Sequence, residues 1–520
     1  MILFLCFIDF AKAFDSVDHS LLFHKLLSIG IHGKMYKAIK CTYEKLQAAI
    51  RLNGTLTDWF SVEAGVRQGE NWATTLFAVF VDDLVAEINR IDKGLNIGTN
   101  SLSCLLYADD IVLLSDSIEG LQSQLNCVNE WSKTYRLRVN TDKTKVMHVR
   151  KASKPQTEYA FKYDDMTLEI VPKYRYLGLI VHEHLDYNVT TNELLSSSSR
   201  SLGSLVSKYY AMDGMDYATY TKIFDSTVTP IIEYGSGVWG IKRYDSLERL
   251  QYRAMRTFLG VSLSAPIPAI MGDMWWYPIH HRTQVNIIRL YCRLVKLPDT
   301  RICRKIFLWD QDVSTRYRDT WFNHANRLID SCGLANVVVR DGHFSTFYIV
   351  EIVKAHMAEE YKQSWLENIQ QMPKLRTYKL FKTNLGTEPF LTRCLTKSQR
   401  SSLTRMRCGT FPLEIEKGRI RNIPVEQRTC KMCDLQTVED ETHFLIQCPK
   451  YRDQREKLFD TIRVTFRDIS GLADTDKLCE LLSNEKLSKL VANFIAECYH
   501  IRTFWPLSMS IIYLFSLMYF

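Results

Sequence analysis

Two aspartates stand side by side in Leu105-Leu106-Tyr107-Ala108-Asp109-Asp110-Ile111-Val112-Leu113-Leu114, between two apolar runs that have no packing use for paired charges. Two unpaired carboxylates about 4 Å apart repel by roughly 4 kcal/mol at an effective dielectric near 20, so a site that collects them expects a cation. Oxygen-only ligation suits Mg²⁺ or Mn²⁺. Asp9 is a third carboxylate of the same kind: it ends the apolar run Leu5-Cys6-Phe7-Ile8 and precedes Phe10-Ala11-Lys12-Ala13-Phe14-Asp15. Three carboxylates on neighbouring strands can hold two metal ions about 3.5 to 4 Å apart, one activating an attacking hydroxyl and one stabilising a leaving oxygen. Taken alone, Asp109-Asp110 reads equally well as a turn.

A second donor set lies far along the chain. Cys430, Cys433, His443 and Cys448 spell C-x2-C-x9-H-x4-C, three soft thiolates and one imidazole that suit a closed tetrahedral Zn²⁺ site; the alternative is four unrelated residues. From Gln371 to Cys430 there are thirteen Lys/Arg against four Glu, a candidate polyanion contact or a solvated face. A decoy tests the logic, because Asp82-Asp83 is also an acidic pair. There, Leu76, Phe77, Phe80, Leu84 and Ile88 share one helical face, so both aspartates are expected on the solvent side.

These groups need elements to hold them. Leu3 to Phe10 is a strand-like apolar run, and Leu102 to Ala108 and Ile111 to Ser115 form a hairpin around the acidic pair. Ser20 to Ile29, Leu121 to Tyr135, Tyr217 to Tyr234 and Leu247 to Leu259 have helical spacing. The chain has 520 residues, 46% of them hydrophobic and 24% charged, which excludes wholesale disorder and a multi-span membrane protein. The net charge is only +8, so its distribution matters more than its sum. Fourteen scattered cysteines in a chain this long point to a reducing intracellular compartment, nucleus or cytoplasm. The apolar end Trp505 to Phe520 would be about 24 Å as a helix against a ~30 Å hydrocarbon core, so it reads as a packed helix or non-native tail rather than a membrane anchor.

Phe7-Ile8-Asp9-Phe10-Ala11-Lys12-Ala13-Phe14-Asp15-Ser16-Val17-Asp18, Gly65-Val66-Arg67-Gln68-Gly69, Tyr107-Ala108-Asp109-Asp110, Asn140 to Lys145 and Tyr174 to Gly178 resemble, in order and spacing, the successive palm motifs of reverse transcriptases from non-LTR (LINE-type) retrotransposons. The segments Tyr220 to Gly240 and Leu247 to Ala254 resemble the helical thumb side of the same elements, and the Cys/His cluster resembles their terminal zinc knuckle. The resemblance implies an α+β fold: a right-hand polymerase palm, an antiparallel sheet with helices, over 1–185 with its fingers missing. A helical thumb-like region would follow over 186–310 and a helical connector over 311–400. The basic segment with its knuckle would occupy 401–460, and a helical, apolar tail 461–520.

The resemblance also implies roles. Asp9, Asp109 and Asp110 would bind two Mg²⁺ or Mn²⁺ ions, with the Phe10 carbonyl a further ligand. Phe14 would be a steric gate against a 2′-OH, with a plain core aromatic as the alternative. Arg67, Gln68, Gly69 and Tyr107 would border the incoming deoxynucleoside triphosphate, Gly69 because a Cβ would block close approach. Lys143 would protonate the pyrophosphate leaving group. Tyr176, Leu177 and Gly178 would grip the primer. Cys430, Cys433, His443 and Cys448 would hold structural Zn²⁺, and the basic stretch before them would grip template RNA or target DNA.

Two departures stand against this. The chain begins almost at Asp9, as in a 5′-truncated copy, and Glu70-Asn71-Trp72-Ala73 follows Gly69 where the family has a Cys-Pro-Leu-Ser-Pro-like run, bringing a negative charge toward the triphosphate. The two expectations are therefore an RNA-directed DNA polymerase and a non-enzymatic nucleic-acid-binding remnant of one.

Overall fold

The computed structural model describes residues 3–67, 69–334 and 344–517, with side chains up to residue 503. The chain divides into two compact units, Met1–Glu193 with Leu297–Phe322, and Leu194–Lys296 with Asn323–Phe520.

At the centre of the first unit is β1 (Leu3–Ile8), which pairs antiparallel with β3 (Asp110–Ser115) on one side and β4 (Lys145–Val149) on the other. β2 (Cys104–Tyr107) extends the sheet beyond β3, and β5 (Glu169–Ile170) runs parallel to β4 at the opposite edge. Both faces of β1 are covered. On one, Phe4, Cys6 and Ile8 meet Leu22 and Leu26 of α1 (His19–Ser28), Phe77, Phe80 and Leu84 of α3 (Ala73–Arg90) and Leu121, Leu125 and Val128 of α4 (Ile118–Tyr135). Between α1 and α3 runs α2 (Gly33–Glu44). On the other face, Leu5 and Phe7 meet the helix Ile302–Val313 and the hairpin of β6 (Lys173–Tyr176) and β7 (Leu179–His182). A strand buried on both sides has no polar face to show, so Leu3–Phe10 reads as an unbroken apolar run. Each fully buried Leu or Phe there contributes about 1.5–3 kcal/mol.

The helix Ile302–Val313 joins the first unit although it follows a long helical stretch of the second. Ile302, Ile306 and Trp309, at i, i+4 and i+7, form one stripe, and the second face of the sheet needs such a cover.

Ends of elements follow local chemistry. Asp18 caps α1 by accepting from the Ser20 and Leu21 amides at 2.9 and 3.1 Å, and Ser117 caps α4. In the second unit the helix expected over Tyr217–Tyr234 is broken into Tyr217–Thr227 and Thr229–Glu233, because Pro230 cannot donate to the preceding turn. The helix Asp245–Leu259 stops where Gly260 turns left-handed at φ 67°. The region 311–400, expected as a helical connector, contains a 26-residue helix, Thr346–Gln371, whose Trp365 and Ile369 bury against Ala269, Leu375 and Tyr378. The last helix runs Ser488–Leu517; among the described residues no helix is long and apolar enough to cross a membrane.

One expectation is overturned here. Asp82 is exposed as anticipated, but Asp83 turns inward to the ammonium of buried Lys25 at 2.6 Å and accepts from Trp131 Nε1 at 2.9 Å. Lys25 also donates to the Phe80 carbonyl and lies 3.5 Å from the centroid of the Tyr135 ring. A Lys carried into the core by α1 must be paired, and Asp83 is the carboxylate within reach. Burial would raise the Asp83 carboxyl, but hydrogen bonds from Lys25, Tyr135 and Trp131 hold it below its ordinary value.

Candidate active site and metal centre

The β1–β3 register ends with Ile8 facing Ile111, and Asp9 and Asp110 are the next residue on each side beyond that pair. Asp109 occupies the two-residue turn between β2 and β3, where Ala108 is left-handed at φ 56° and Tyr107 faces Asp110 across the hairpin. Tyr107 itself is exposed. Asp9 is fixed through its backbone: its amide donates to Thr144 Oγ1 at 3.2 Å and its carbonyl accepts from the Asn140 amide at 2.7 Å. The Asn140 side chain in turn accepts from the Asp142 amide at 3.2 Å, folding the turn that presents Lys143. Thr144, wholly buried, and Asn140 position the site; of their stretch Asn140 to Lys145, only Lys143 is given a role by the sequence.

Beyond Asp9 the chain leaves the sheet. Lys12 turns left-handed at φ 51° into a short 3₁₀ turn over Ala13–Ser16. Its Phe14 ring is half-buried and stacks on Phe77 at 4.7 Å. Asp9, Phe10, Phe14, Asp109, Asn140 and Lys143 thus line one cleft of about 450 Å³. The Lys143 ammonium lies 3.8 Å from Asp9 Oδ2. Burial, then the charges of Asp109 and Asp9, raise the Asp110 carboxyl above its ordinary value. The three carboxylates are neighbours without converging on one point: among the described residues only the Cys/His set draws its donor atoms within 4.8 Å of one another. Hard oxygen donors whose charges raise the Asp110 carboxyl are nonetheless the donor set a divalent cation requires.

Gly65 approaches this loop closely. At φ 96° it lies where a Cβ would be 2.9 Å from the Asp15 carbonyl oxygen, so only glycine fits. Gly69 differs from expectation: a Cβ there would meet nothing within 4 Å, and its φ of 92° is what requires glycine. Arg67 pairs with Glu70 at 3.5 Å, and Gln68 lies outside the described residues. Glu70 is not a loose charge beside the site, because the Tyr43 hydroxyl also donates to it at 2.7 Å, an interaction that, after burial, pushes the phenol up to about 12.

Leu177 and Gly178, left-handed at φ 48° and 81°, form the turn between β6 and β7. Tyr174 stacks on Phe7 at 4.1 Å and Tyr176 tilts against it at 5.6 Å. Burial and then the charge of Asp110 push Tyr176 up to about 12, so the hairpin stands within electrostatic reach of the carboxylates.

In the second unit the donor atoms of Cys430, Cys433, His443 and Cys448 lie within 4.8 Å of one another, and all but Cys433 are buried. His443 Nε2 is 3.5 Å from Cys433 Sγ, while Thr437 Oγ1 is 3.0 Å from Nδ1. With Nδ1 held by a hydroxyl, Nε2 is directed at the thiols, as a zinc ligand requires. Asp440 accepts from the His443 amide at 2.8 Å.

The basic stretch before this cluster is not the open cationic face that its composition suggests. Arg376 pairs with Glu441 at 2.7 Å and Glu416 at 3.0 Å; Arg407, fully buried, pairs with Asp273 at 3.0 Å and Glu388 at 2.6 Å; Lys382 also pairs with Glu388. Arg393, Lys397, Lys417 and Arg419 pair with Glu485, Asp213, Glu414 and Glu416. Most partners come from remote parts of the chain, and a buried guanidinium must find one.

Residues 3–181 match the family described as reverse transcriptase (RNA-dependent DNA polymerase). The RNA-directed DNA polymerase from mobile element jockey of Drosophila funebris is 25% identical over 340 residues, 64% of this chain and 33% of that protein. The Pol polyprotein from type-1 retrotransposable element R2 of Nasonia vitripennis is 30% identical over 124 residues, 24% of this chain and 12% of that protein. The chain thus spans at most about a third of the length of these relatives. Telomerase of Candida albicans, solved with a telomeric RNA fragment, is 11% identical over 71% of this chain and 49% of that one, with a TM-score of 0.29. By its ordered motifs and these comparisons, the stretch 3–181 of this chain is similar to reverse transcriptase domains, and the relatives named here come from mobile elements and retrotransposable elements.

Proposed function

We propose that the first unit is the palm of an RNA-directed DNA polymerase that adds deoxynucleotides to a primer 3′-OH on an RNA template. The observation that carries this is that Asp9 and Asp110 follow the last pair of the β1–β3 ladder, with Asp109 in the adjoining turn, beside a cleft lined by Asp9, Asp109, Phe14 and Lys143. Asp9, Asp109 and Asp110 would hold Mg²⁺ or Mn²⁺, which when bound supplies the Lewis acidity of nucleotidyl transfer. Phe14, braced by Phe77, excludes a 2′-OH. Arg67, Gln68, Gly69 and Tyr107 border the triphosphate. The Lys143 ammonium, a donor beside Asp9, protonates the departing pyrophosphate. Tyr176, Leu177 and Gly178 hold the primer end, their rigid turn resting on Phe7. The helices Tyr217–Thr227 and Asp245–Leu259 belong to the thumb. Cys430, Cys433, His443 and Cys448 bind Zn²⁺ as a structural knuckle.

Primer extension on poly(rA)·oligo(dT) with Mg²⁺ and dTTP tests the reading. Extension by this chain that disappears in the Asp109→Ala, Asp110→Ala double variant is the expected result. A folded chain that binds the template and never extends the primer overturns it.

A further inference from the structure

A pocket of about 370 Å³ lies wholly within the second unit, and its lining includes Glu233 of the Tyr220 to Gly240 stretch. Its walls are Trp275, Trp276 and Tyr277, His281 and Arg289 of the helix Ile279–Lys296, and Lys354 of the helix Thr346–Gln371. Such a volume suits one small ligand or one extruded base.

Four observations point to what it takes. First, Trp275 is 49% exposed and sits at φ 52°, immediately after the helix Ile267–Met274. Glycine or asparagine normally fills that left-handed position, and a bulky aromatic there is an outlier of the kind that clusters at ligand clamps. It is held by its neighbours: Trp276 buries against Phe224 at 4.5 Å, and the Tyr217 hydroxyl donates to the Met274 carbonyl. Second, the aromatic rings form a series. Trp275 Nε1 donates to the Tyr277 hydroxyl at 3.2 Å, and Tyr277 stacks on His281 at 5.9 Å. Burial, then the charges of His280 and Arg243, lower His281 to about 4, so at neutral pH it is one more uncharged aromatic face. Third, the cations are unequally engaged. Arg282 is spent on Asp225 and Glu233, whereas the Arg289 guanidinium bonds only the neutral Asn286 Oδ1, at 2.7 Å, and has no ion pair among the described residues. Fourth, the wall residue Trp276 carries a buried indole N–H with no acceptor among the described residues. Orphaned buried donors are rare and ask for a partner.

A ligand that offers a flat π-face, a hydrogen-bond acceptor and a negative charge satisfies all four, and a nucleotide has each of them. A duplex keeps its bases stacked inside and cannot enter. We propose that this pocket captures an unpaired nucleotide of a single-stranded nucleic acid, its base stacked on Trp275 and Tyr277 and its phosphate on Arg289. Base-on-aromatic capture of this kind tolerates any sequence, because every base has a π-face. The site stands independently of the polymerase reading, since no residue of the carboxylate cleft takes part.

The test is photocross-linking of the full chain to a 12-nucleotide single strand bearing 5-iodouridine, with the cross-linked peptide identified by mass spectrometry. A cross-link at Trp275 or Tyr277 is expected, retained in the Asp109→Ala, Asp110→Ala variant and absent from the same sequence in duplex form. Trp275→Ala should lower its yield at subsaturating strand by at least about five-fold, the weak end of base stacking, while Trp275→Phe restores it. Arg289→Gln should weaken binding and reduce the salt slope by about one. If free UMP alone occupies the pocket, protecting Trp275 from oxidation while the strand does not cross-link there, the nucleotide chemistry stands but its strand source is wrong. A bound strand that cross-links only elsewhere, or no binding of either probe, overturns the proposal.

Discussion

Asp9, Asp109 and Asp110 stand at the rim of a sheet with half-buried or exposed side chains beside a cleft, whereas Cys430, His443 and Cys448 are buried and converge with Cys433 within 4.8 Å. The carboxylates sit on two pieces of rigid backbone, the residue just after β1 and the β2–β3 hairpin at its turn and the start of β3. The Cys/His set sits on loops tied by local hydrogen bonds from Thr437 and Asp440. A centre that must admit substrate keeps open positions and a stiff frame, while a centre that only holds the chain together closes around its ion. The second acidic pair, Asp82-Asp83, makes the contrast finer, since Asp83 has the sequence context of a spare charge and the duty of a core anchor.

The largest effect should come from the closed centre. Chelation of the purified protein, or His443→Ala, should release one equivalent of zinc and unfold the region around residues 425–450, because metal-binding free energy on the order of 10 kcal/mol is folding free energy in such modules. Zinc analysis with hydrogen exchange would register it, and retained amide protection after complete metal loss would break the contrast. The open centre should respond in the opposite way. Asp109→Ala with Asp110→Ala should lower primer extension by at least about 10²-fold, roughly 3 kcal/mol of transition-state stabilisation, while leaving the melting temperature unchanged or higher.

Lys25→Ala should cost about 3 kcal/mol in denaturant unfolding, since it strands Asp83 in a partly buried site. Phe14→Ala should reduce the preference for dTTP over UTP by about ten-fold in competition assays, at a stability cost near 1 kcal/mol for the lost stacking. The smallest effect is electrostatic. Asp110 is raised above its ordinary 3.8 by burial and by Asp109 and Asp9, so the native state holds that proton more tightly than the unfolded chain. Its favourable contribution is complete below about 3.8 and is lost as pH rises through the native value. Asp110→Asn should therefore raise the melting temperature at pH 7, with the gain closing as the pH falls toward 3.8.

Much of the site was legible because its signals are local. Asp109-Asp110 between two apolar runs implies a hairpin whatever surrounds it, and the unbroken apolarity of Leu3–Phe10 announces a strand covered on both sides. The C-x2-C-x9-H-x4-C spacing carries its own chemistry. Other features were illegible because they depend on who meets whom. The thirteen basic residues of Gln371–Cys430 look like a cationic face until Asp213, Asp273, Glu441 and Glu485 arrive from distant segments to pair with Lys397, Arg407, Arg376 and Arg393. Asp83 cannot be told from Asp82 until α1 delivers Lys25 beneath it.

What the amino-acid order determined by itself is the list of reactive groups and the short elements that carry them, because hydrophobic period, turn chemistry and ligand spacing act over a few residues. Only the tertiary structure decided which charges remain free, which glycines are sterically required and which aromatic rings gather into a pocket. Burial and Coulomb energy depend on distance in space, and the chain brings together partners more than a hundred residues apart, as with Arg407 and Asp273.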